Sequence, residues 1–392
     1  MGIYLHIPFC VQKCNYCDFL SAPADEQVRH AYVECLKEEI RRFEETDRYQ
    51  IVSVFFGGGT PSILKGEEIG EILSVLRDKF QFSVSENPDQ RRDNSRIPEI
   101  TVECNPGTLS PEKLKIYREC GVNRLSLGLQ SADDEELKLL GRIHTWEEFR
   151  ENYEQARMAG FQNLNVDLMS SLPGQSEASW ENTLKKTVAL KPEHISAYSL
   201  IIEEGTPFYE KYGKEAEARA QGKACSILPD EDAERNMYYA TERILKEAGM
   251  HRYEISNYAK PGRESVHNCG YWMRREYVGF GLGASSQLKQ LRYKNTECLE
   301  DYLKGDFSKK ELLVLTKDNQ IEETMYLGLR MMEGIDLLNF EKTFGVSAEI
   351  IYKKELTQLI KQGLICKEDG RLRLTDRGID LSNRVLAEFL LD

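Results

Sequence analysis

Gly2-Ile3-Tyr4-Leu5-His6-Ile7-Pro8-Phe9-Cys10-Val11-Gln12-Lys13-Cys14-Asn15-Tyr16-Cys17-Asp18-Phe19 decides how the chain is read. Its first half is apolar and rich in β-formers, as expected of a buried strand that ends at a loop. The second half sets three thiols at spacings of three and then two intervening residues, so that one tight loop can bring them to one metal centre. Zinc usually takes four protein ligands, whereas a cubane iron–sulfur cluster held by three cysteines keeps one iron open for a substrate or cofactor. Incidental thiols or a disulfide would give no reason for this spacing.

Working outward, helical periodicity over 25–45 is followed by an apolar strand at 51–56, and strand–helix–strand is the opening of a parallel sheet. Gly57-Gly58-Gly59-Thr60-Pro61 comes directly after, where missing Cβ atoms let backbone approach a ligand and free N–H groups can meet a carboxylate. Residues 83–98 are polar and without period, an exposed insertion. The alternation then resumes with strands at 99–103, 123–129, 163–169 and 194–202, separated by helices at 110–119, 133–140, 146–159 and 177–190. The fold expected is α/β: an open, partial β/α barrel of about six parallel strands, with its chemistry at the strands' C-terminal ends.

Residues 1–205 form that core. Residues 206–305 read as a capping and connecting region, with a mobile charge-rich arm at 209–223, a helix at 230–248 and a loop-rich stretch at 253–286. Residues 306–392 read as a small winged-helix-like α+β domain: helices at 321–333, 347–362 and 378–390, and a hairpin turning at Asp369-Gly370. A net charge of −13 with 30% charged residues argues against nucleic acid as a partner. Ten cysteines with no secretory signal ahead of them point to a reducing, cytoplasmic compartment. The apolar runs are strand-sized, far below the ~20 residues of a membrane span.

Polar residues recur where buried strands end: Glu103, Gln130 and Asp167, with Arg142 in Leu140-Gly141-Arg142-Ile143-His144. A charged or amide group there is costly unless a partner satisfies it, and several at one end of a sheet beside a thiol loop point to a ligand site. His144 and His194 show no partner in the sequence and read as structural.

Cys10, Cys14 and Cys17, with Tyr16 before the third, resemble the signature of radical S-adenosylmethionine (SAM) enzymes. The resemblance implies a [4Fe-4S] cluster on these cysteines and SAM on its open iron. It places Gly58, Gly59 and Thr60 near SAM, adds Tyr4, Glu103, Gln130, Arg142 and Asp167 as SAM contacts, and puts His6 beside the pocket. Tyr4–Cys10, Gly57–Pro61, Leu127–Ser131 and Asp167–Gln175 resemble the coproporphyrinogen III dehydrogenase-like subgroup over nearly the whole chain. Two features separate its branches. The dehydrogenase carries a further cysteine where Phe19 stands here and an extension ahead of the first strand, whereas His267-Asn268-Cys269-Gly270-Tyr271-Trp272 resembles the His-Asn-x-x-Tyr-Trp motif of the haem-chaperone branch, HemW. The function implied is a haem chaperone that binds haem as cargo, the cluster and SAM, and passes haem to an acceptor protein of respiratory type. His267 is then a candidate haem ligand, with two aromatic residues as a wall for a porphyrin face. Membrane association would come only through the acceptor, and a homodimer is compatible. The alternative is oxygen-independent coproporphyrinogen III oxidase. No residue is assigned a catalytic role.

Overall fold

Period-two alternation of apolar and polar side chains marks the parallel strands at the centre of the main sheet. The computed structural model describes residues 1–44, 49–82, 97–223 and 225–391, so the expected insertion at 83–98 lies outside the described residues apart from Ile97 and Pro98. Strands Gly2–Ile7, Ser53–Gly58, Glu99–Cys104, Arg124–Gln130, Leu164–Ser170 and His194–Ser199 pair in parallel in that order, as expected from the sequence. A seventh parallel strand, Tyr277–Phe280, pairs with Gly2–Ile7 on its other side, inside the stretch expected to be loop-rich. Four residues carry too short a pattern to announce a strand, and Gly279 packs so close to the backbone oxygen of Ser285 that a Cβ could not fit. Antiparallel strands flank this parallel array, and one of them, Lys310–Val314, carries the sheet past residue 305.

On one face Ile3, Leu5, Val54, Phe56, Val102, Leu125, Leu127, Val166 and Ile195 are fully or almost fully buried against helices that contribute Leu36, Ile69, Leu73, Leu114, Phe149 and Leu184. The other face is polar: Tyr4, His6, Ser53, Glu99, Glu103, Arg124, Ser126, Asn165, Asp167 and Ser196 occupy the alternate positions. That polar face is the inside of the barrel. Among the described residues no helix is long and apolar enough to cross a membrane.

The arm expected to be mobile is a helix, Pro207–Ala220. Thr206 caps it, Pro207 suits its first turn, and Phe208 and Tyr212, one turn apart and edge-to-face at 5.3 Å, bury against Leu140, Leu172, Leu200 and Leu228. Charges on the remaining faces hide this pair in the sequence.

A separate core unites the C-terminal helices with a three-stranded sheet, in which Ile335–Asp336 joins the expected hairpin Ile365–Glu368 and Arg371–Leu374. Asp369 and Gly370 both have positive φ, 50° and 73°, as their hairpin turn requires. The helix expected at 347–362 breaks at Tyr352 into Ala348–Ile351 and Lys353–Lys361, and the final one breaks at Leu381 into Asp376–Asp380 and Ser382–Ala387.

Trp180 ties two outer helices together. Its ring is fully buried, and Nε1 donates to Met237 O at 3.1 Å and Thr241 Oγ1 at 2.9 Å. Trp180→Ala is expected to lower unfolding stability by about 3–5 kcal/mol, measured by chemical denaturation; a loss below about 1 kcal/mol would show that these helices do not depend on the ring.

Candidate functional site

The first strand delivers the cysteines to the barrel mouth. Cys10 N donates to Ala22 O at 3.2 Å and Ala22 N to Pro8 O at 3.0 Å, closing the loop at its base. Its far end is stapled to the chain that follows the fourth strand, where Asn15 N donates to Leu140 O and Asn15 Nδ2 to Leu139 O at 2.9 Å, and to the helix Pro207–Ala220, where Phe208 N donates to Asn15 O at 2.9 Å. Gly141 is required here. Its φ is +75°, and a Cβ would come within 3.1 Å of Asn15.

A chain of hydrogen bonds links two of the thiols. Thr60 Oγ1 lies 3.5 Å from Cys10 Sγ, Asn105 Nδ2 donates to Thr60 Oγ1 at 2.7 Å, Arg142 Nη2 donates to Asn105 Oδ1 at 2.9 Å, and Arg142 Nη1 lies 3.6 Å from Cys14 Sγ. Arg142 also donates to Gly128 O at 2.7 Å. Donors aimed at sulfur can hydrogen-bond a metal-bound thiolate. Burial pushes the Cys17 thiol up, so its proton must be lost when metal binds. All ten cysteines are free.

The glycine turn serves this loop rather than a ligand carboxylate. Gly59 N donates to Ile7 O and Thr60 N to Phe9 O, so those amides are not free as expected. A Cβ on Gly59 would lie 2.9 Å from Cys10 Sγ and 2.7 Å from Phe9 O; one on Gly58, at φ +114°, would strike the His6 ring. The Gly58 N–H meets the chain's own Glu103 carboxyl. Gln130 ends its strand at φ +71° beside a register shift, a strained conformation typical of a site.

Inside the barrel, Tyr4, Glu103, Asp167 and His267 line one cavity of about 200 Å³. Asp167 accepts from Ser126 Oγ at 2.9 Å and Asn165 Nδ2 at 2.7 Å; burial raises its pKa. Burial, then the charge of Asp167, pushes Glu103 up to about 8. His6 Nε2 meets Leu20 O at 2.9 Å and so carries the proton, leaving Nδ1 to accept from Tyr4 OH at 3.0 Å. His6 thus orients Tyr4 and holds the end of the cysteine loop.

His267 is engaged inside the barrel. It lies within the short helix Val266–Trp272, buried, with Nδ1 2.9 Å from Ser53 Oγ and Nε2 3.0 Å from Tyr271 OH. Its ring stacks on Phe55 at 4.9 Å. Both ring nitrogens are engaged with hydroxyl groups of the chain itself. Tyr271 and Trp272 form no common wall: Tyr271 faces the barrel, whereas Trp272 lies beneath the Arg330 guanidinium at 4.4 Å. Glu99 anchors the helix by accepting from the N–H groups of Val266 and His267, both at 3.2 Å.

Sequence reasoning missed Asn105, whose Asn-Pro reads only as a turn, and Arg124, which reads only as the start of a strand. His194 is structural as expected, bonded to Asn165 Oδ1 and Tyr253 OH.

Residues 4–187 match the Radical SAM superfamily and residues 315–381 the HemN C-terminal domain. The heme chaperone HemW of Lactococcus lactis is 38% identical over 99% of this chain and 97% of its own length. The chain belongs to the HemW family. The HemW of Bacillus subtilis is 36% identical, covering 99% of this chain and 98% of its own, and that of Escherichia coli 32%, covering 100% and 98%. The solved structure of E. coli coproporphyrinogen III oxidase (HemN) superposes with a TM-score of 0.79 over 99% of this chain and 89% of its own; at 23% identity it shows the shared fold.

The cysteine loop suits the [4Fe-4S] cluster that a radical SAM domain carries. Three free thiols stand on one loop, Gly59 leaves room beside Cys10 Sγ, two of the thiols have donors aimed at sulfur, and Arg142 Nε is buried without a partner. Among the described residues no three His, Cys, Asp or Glu side chains close on a point as around a single ion. A cubane offers separate iron corners to separate thiolates and does not demand that closure.

Glu103 gives this site a pH signature. Its folded pKa of about 8 exceeds the unfolded value, so between those values the native state holds a proton that the unfolded state has lost. That contribution to stability falls as pH rises through the window, by up to about 1.4 kcal/mol per pH unit. Glu103→Gln is expected to gain stability relative to wild type as pH rises from about 5 to 8; a difference independent of pH in denaturation curves would place Glu103 in a different state.

Proposed function

We propose that the chain is a haem chaperone that holds a [4Fe-4S] cluster on Cys10, Cys14 and Cys17, binds SAM above the barrel, carries haem, and transfers it to an acceptor protein. The observation that carries this reading is full-length identity of 32–38% to proteins described as heme chaperones, over a chain whose cysteine loop is built for a cluster. When bound, the cluster supplies an open iron and a reducing electron. The chain's own residues do the rest. Thr60 and Arg142 polarise two thiols, the Asn15 staple fixes the loop, Gln130 and Arg142 present polar groups at the mouth, and Asp167, held by Ser126 and Asn165, turns a carboxylate towards the barrel for a hydroxyl or cation of SAM.

Phe19, 61% exposed, occupies the position at which the dehydrogenase branch has its further cysteine. The acceptor belongs to the respiratory class, the site of action is the cytoplasm, and a homodimer is compatible with this reading. The net charge of −13 leaves nucleic acid out.

Titrating haem into the anaerobically reconstituted full chain is expected to give a Soret band that saturates at a defined stoichiometry; a band that grows without saturation would overturn the reading. Cys14→Ala is expected to abolish the cluster's visible absorbance while leaving haem binding largely intact, and an unchanged spectrum would show that Cys14 is no ligand. His267→Ala is expected to leave the haem stoichiometry unchanged, because its nitrogens are bonded inside the barrel. Loss of the band in a folded His267→Ala protein would return His267 to the haem site. Conversion of coproporphyrinogen III to protoporphyrinogen IX with SAM and a reductant would make the chain an oxidase.

A further inference from the structure

The C-terminal domain carries a groove of about 660 Å³, lined by none of the residues that serve the cysteine loop or the barrel interior. One wall is the helix pair Ala348–Ile351 and Lys353–Lys361, which contributes Ile350, Lys353, Thr357 and Ile360. These four are spaced three, four and three residues apart, so they form one helical stripe, about 15 Å long at the rise of a helix. Leu356 and Leu372, both buried, line the depth of the groove, and Lys367 of the hairpin stands on the other side. Ile350 is 71% exposed and Ile360 47%. Two large aliphatic side chains are thus left in water at a concave apolar surface with a polar rim, the mark of an interaction site.

Charge and shape decide what fits there. The chain as a whole carries −13, yet the charged residues lining the groove are Lys353, Lys367 and Glu349. Glu349 Oε1 already accepts from Lys367 Nζ at 2.5 Å. Among the described residues no carboxylate stands within ion-pair distance of Lys353, so the groove presents a local cation on an acidic molecule. A lipid surface is broad and meets flat or convex faces, whereas a groove walled by a helical stripe takes a rod. A helix laid in such a groove anchors through apolar residues at i, i+3 or i+4, and i+7, and a carboxylate on its flank answers the cation.

We propose that this groove is the docking site for an amphipathic, acidic helix of the haem acceptor, which sets its apolar face between Ile350 and Ile360 and a carboxylate against Lys353. The site rests on the proposed function in one respect: that reading supplies the acceptor as the protein that owns the helix. Its place suits a hand-over, because the domain that bears the groove is tied to the barrel through Arg330 over Trp272 and Glu323 bonded to Arg274.

The probe is a fluorescein-labelled helical peptide of about 18 residues, with leucines along one face and glutamates along the others. A neutral twin carries glutamine for every glutamate, and a scrambled acidic peptide has the same composition without the apolar face. Fluorescence anisotropy with the full chain at physiological salt is expected to show saturable binding of one acidic helix per chain, with the twin and the scrambled peptide weaker by about tenfold. On a chain of net charge −13 that preference has to come from a local cation. Ile350→Glu and Ile360→Glu are each expected to weaken the acidic helix by about tenfold or more, and Lys353→Glu to abolish its advantage over the neutral twin. All three positions are exposed, and Lys353→Glu keeps the test readable if an isoleucine variant unfolds. Equal affinity for the three peptides, or an affinity indifferent to residues 350, 353 and 360, would overturn the proposal. Phosphatidylglycerol vesicles that hold the wild type and release Ile350→Glu would assign the groove to a lipid surface, and a dimer in sedimentation that Ile350→Glu dissolves would assign it to a second copy; either overturns an acceptor helix. The titration needs no haem, so a chain that binds the peptide but no haem loses the chaperone reading alone, and one that binds haem but no peptide loses the groove alone.

Discussion

Parallel strands with period-two alternation leave a polar inner face that has to be satisfied by something. The outer face is settled by burial of Leu, Val, Ile and Phe against the helices. The inner face has no such recourse, since a buried polar group without a partner costs roughly 1–3 kcal/mol. Most of it is satisfied internally. Ser126, Asn165, Asp167, His194 and Tyr253 form one continuous hydrogen-bonded chain, and Glu99 takes the first amides of the motif helix. Among the atoms left without a partner, Arg124 Nε belongs to a residue that lines the cavity and Arg142 Nε to one whose guanidinium stands beside Cys14.

The same economy organises the mouth. Asn105 is the hinge of the arrangement, because its amide both donates to Thr60 and accepts from Arg142, and through them it reaches Cys10 and Cys14. One neutral side chain thus sets the orientation of a hydroxyl and a guanidinium against two sulfurs. Outer groups of this kind govern how metal ligands are aimed.

Much of this was legible in the sequence where the signal was local. The cysteine spacing, the strands with their intervening helices, and the Asp369-Gly370 turn each rest on residues close together in the chain. The failures have a common physical origin in long-range contact. His267 looked available because Ser53, its Nδ1 partner, is 214 residues away. Asn105 looked like a turn residue because Thr60 and Arg142 are separated from it by dozens of residues. The strand Tyr277–Phe280 is paired with Gly2–Ile7, more than 260 residues away in sequence, as well as with Ser285–Leu288, and the helix Pro207–Ala220 hides its packing pair among charges.

The helix Val266–Trp272 joins two parts of the molecule. His267 and Tyr271 project into the barrel, while Trp272 lies under Arg330 and the next turn sends Arg274 to Glu323, both on the C-terminal domain. Seven helical residues span about 10 Å and behave as a stiff strut. Any rearrangement at the barrel end is therefore felt at the far end as a shift in the Trp272 and Arg274 contacts. By reciprocity of linked equilibria, to the extent that a ligand in the barrel shifts these contacts, a protein docked on the C-terminal domain shifts the barrel by the same free energy.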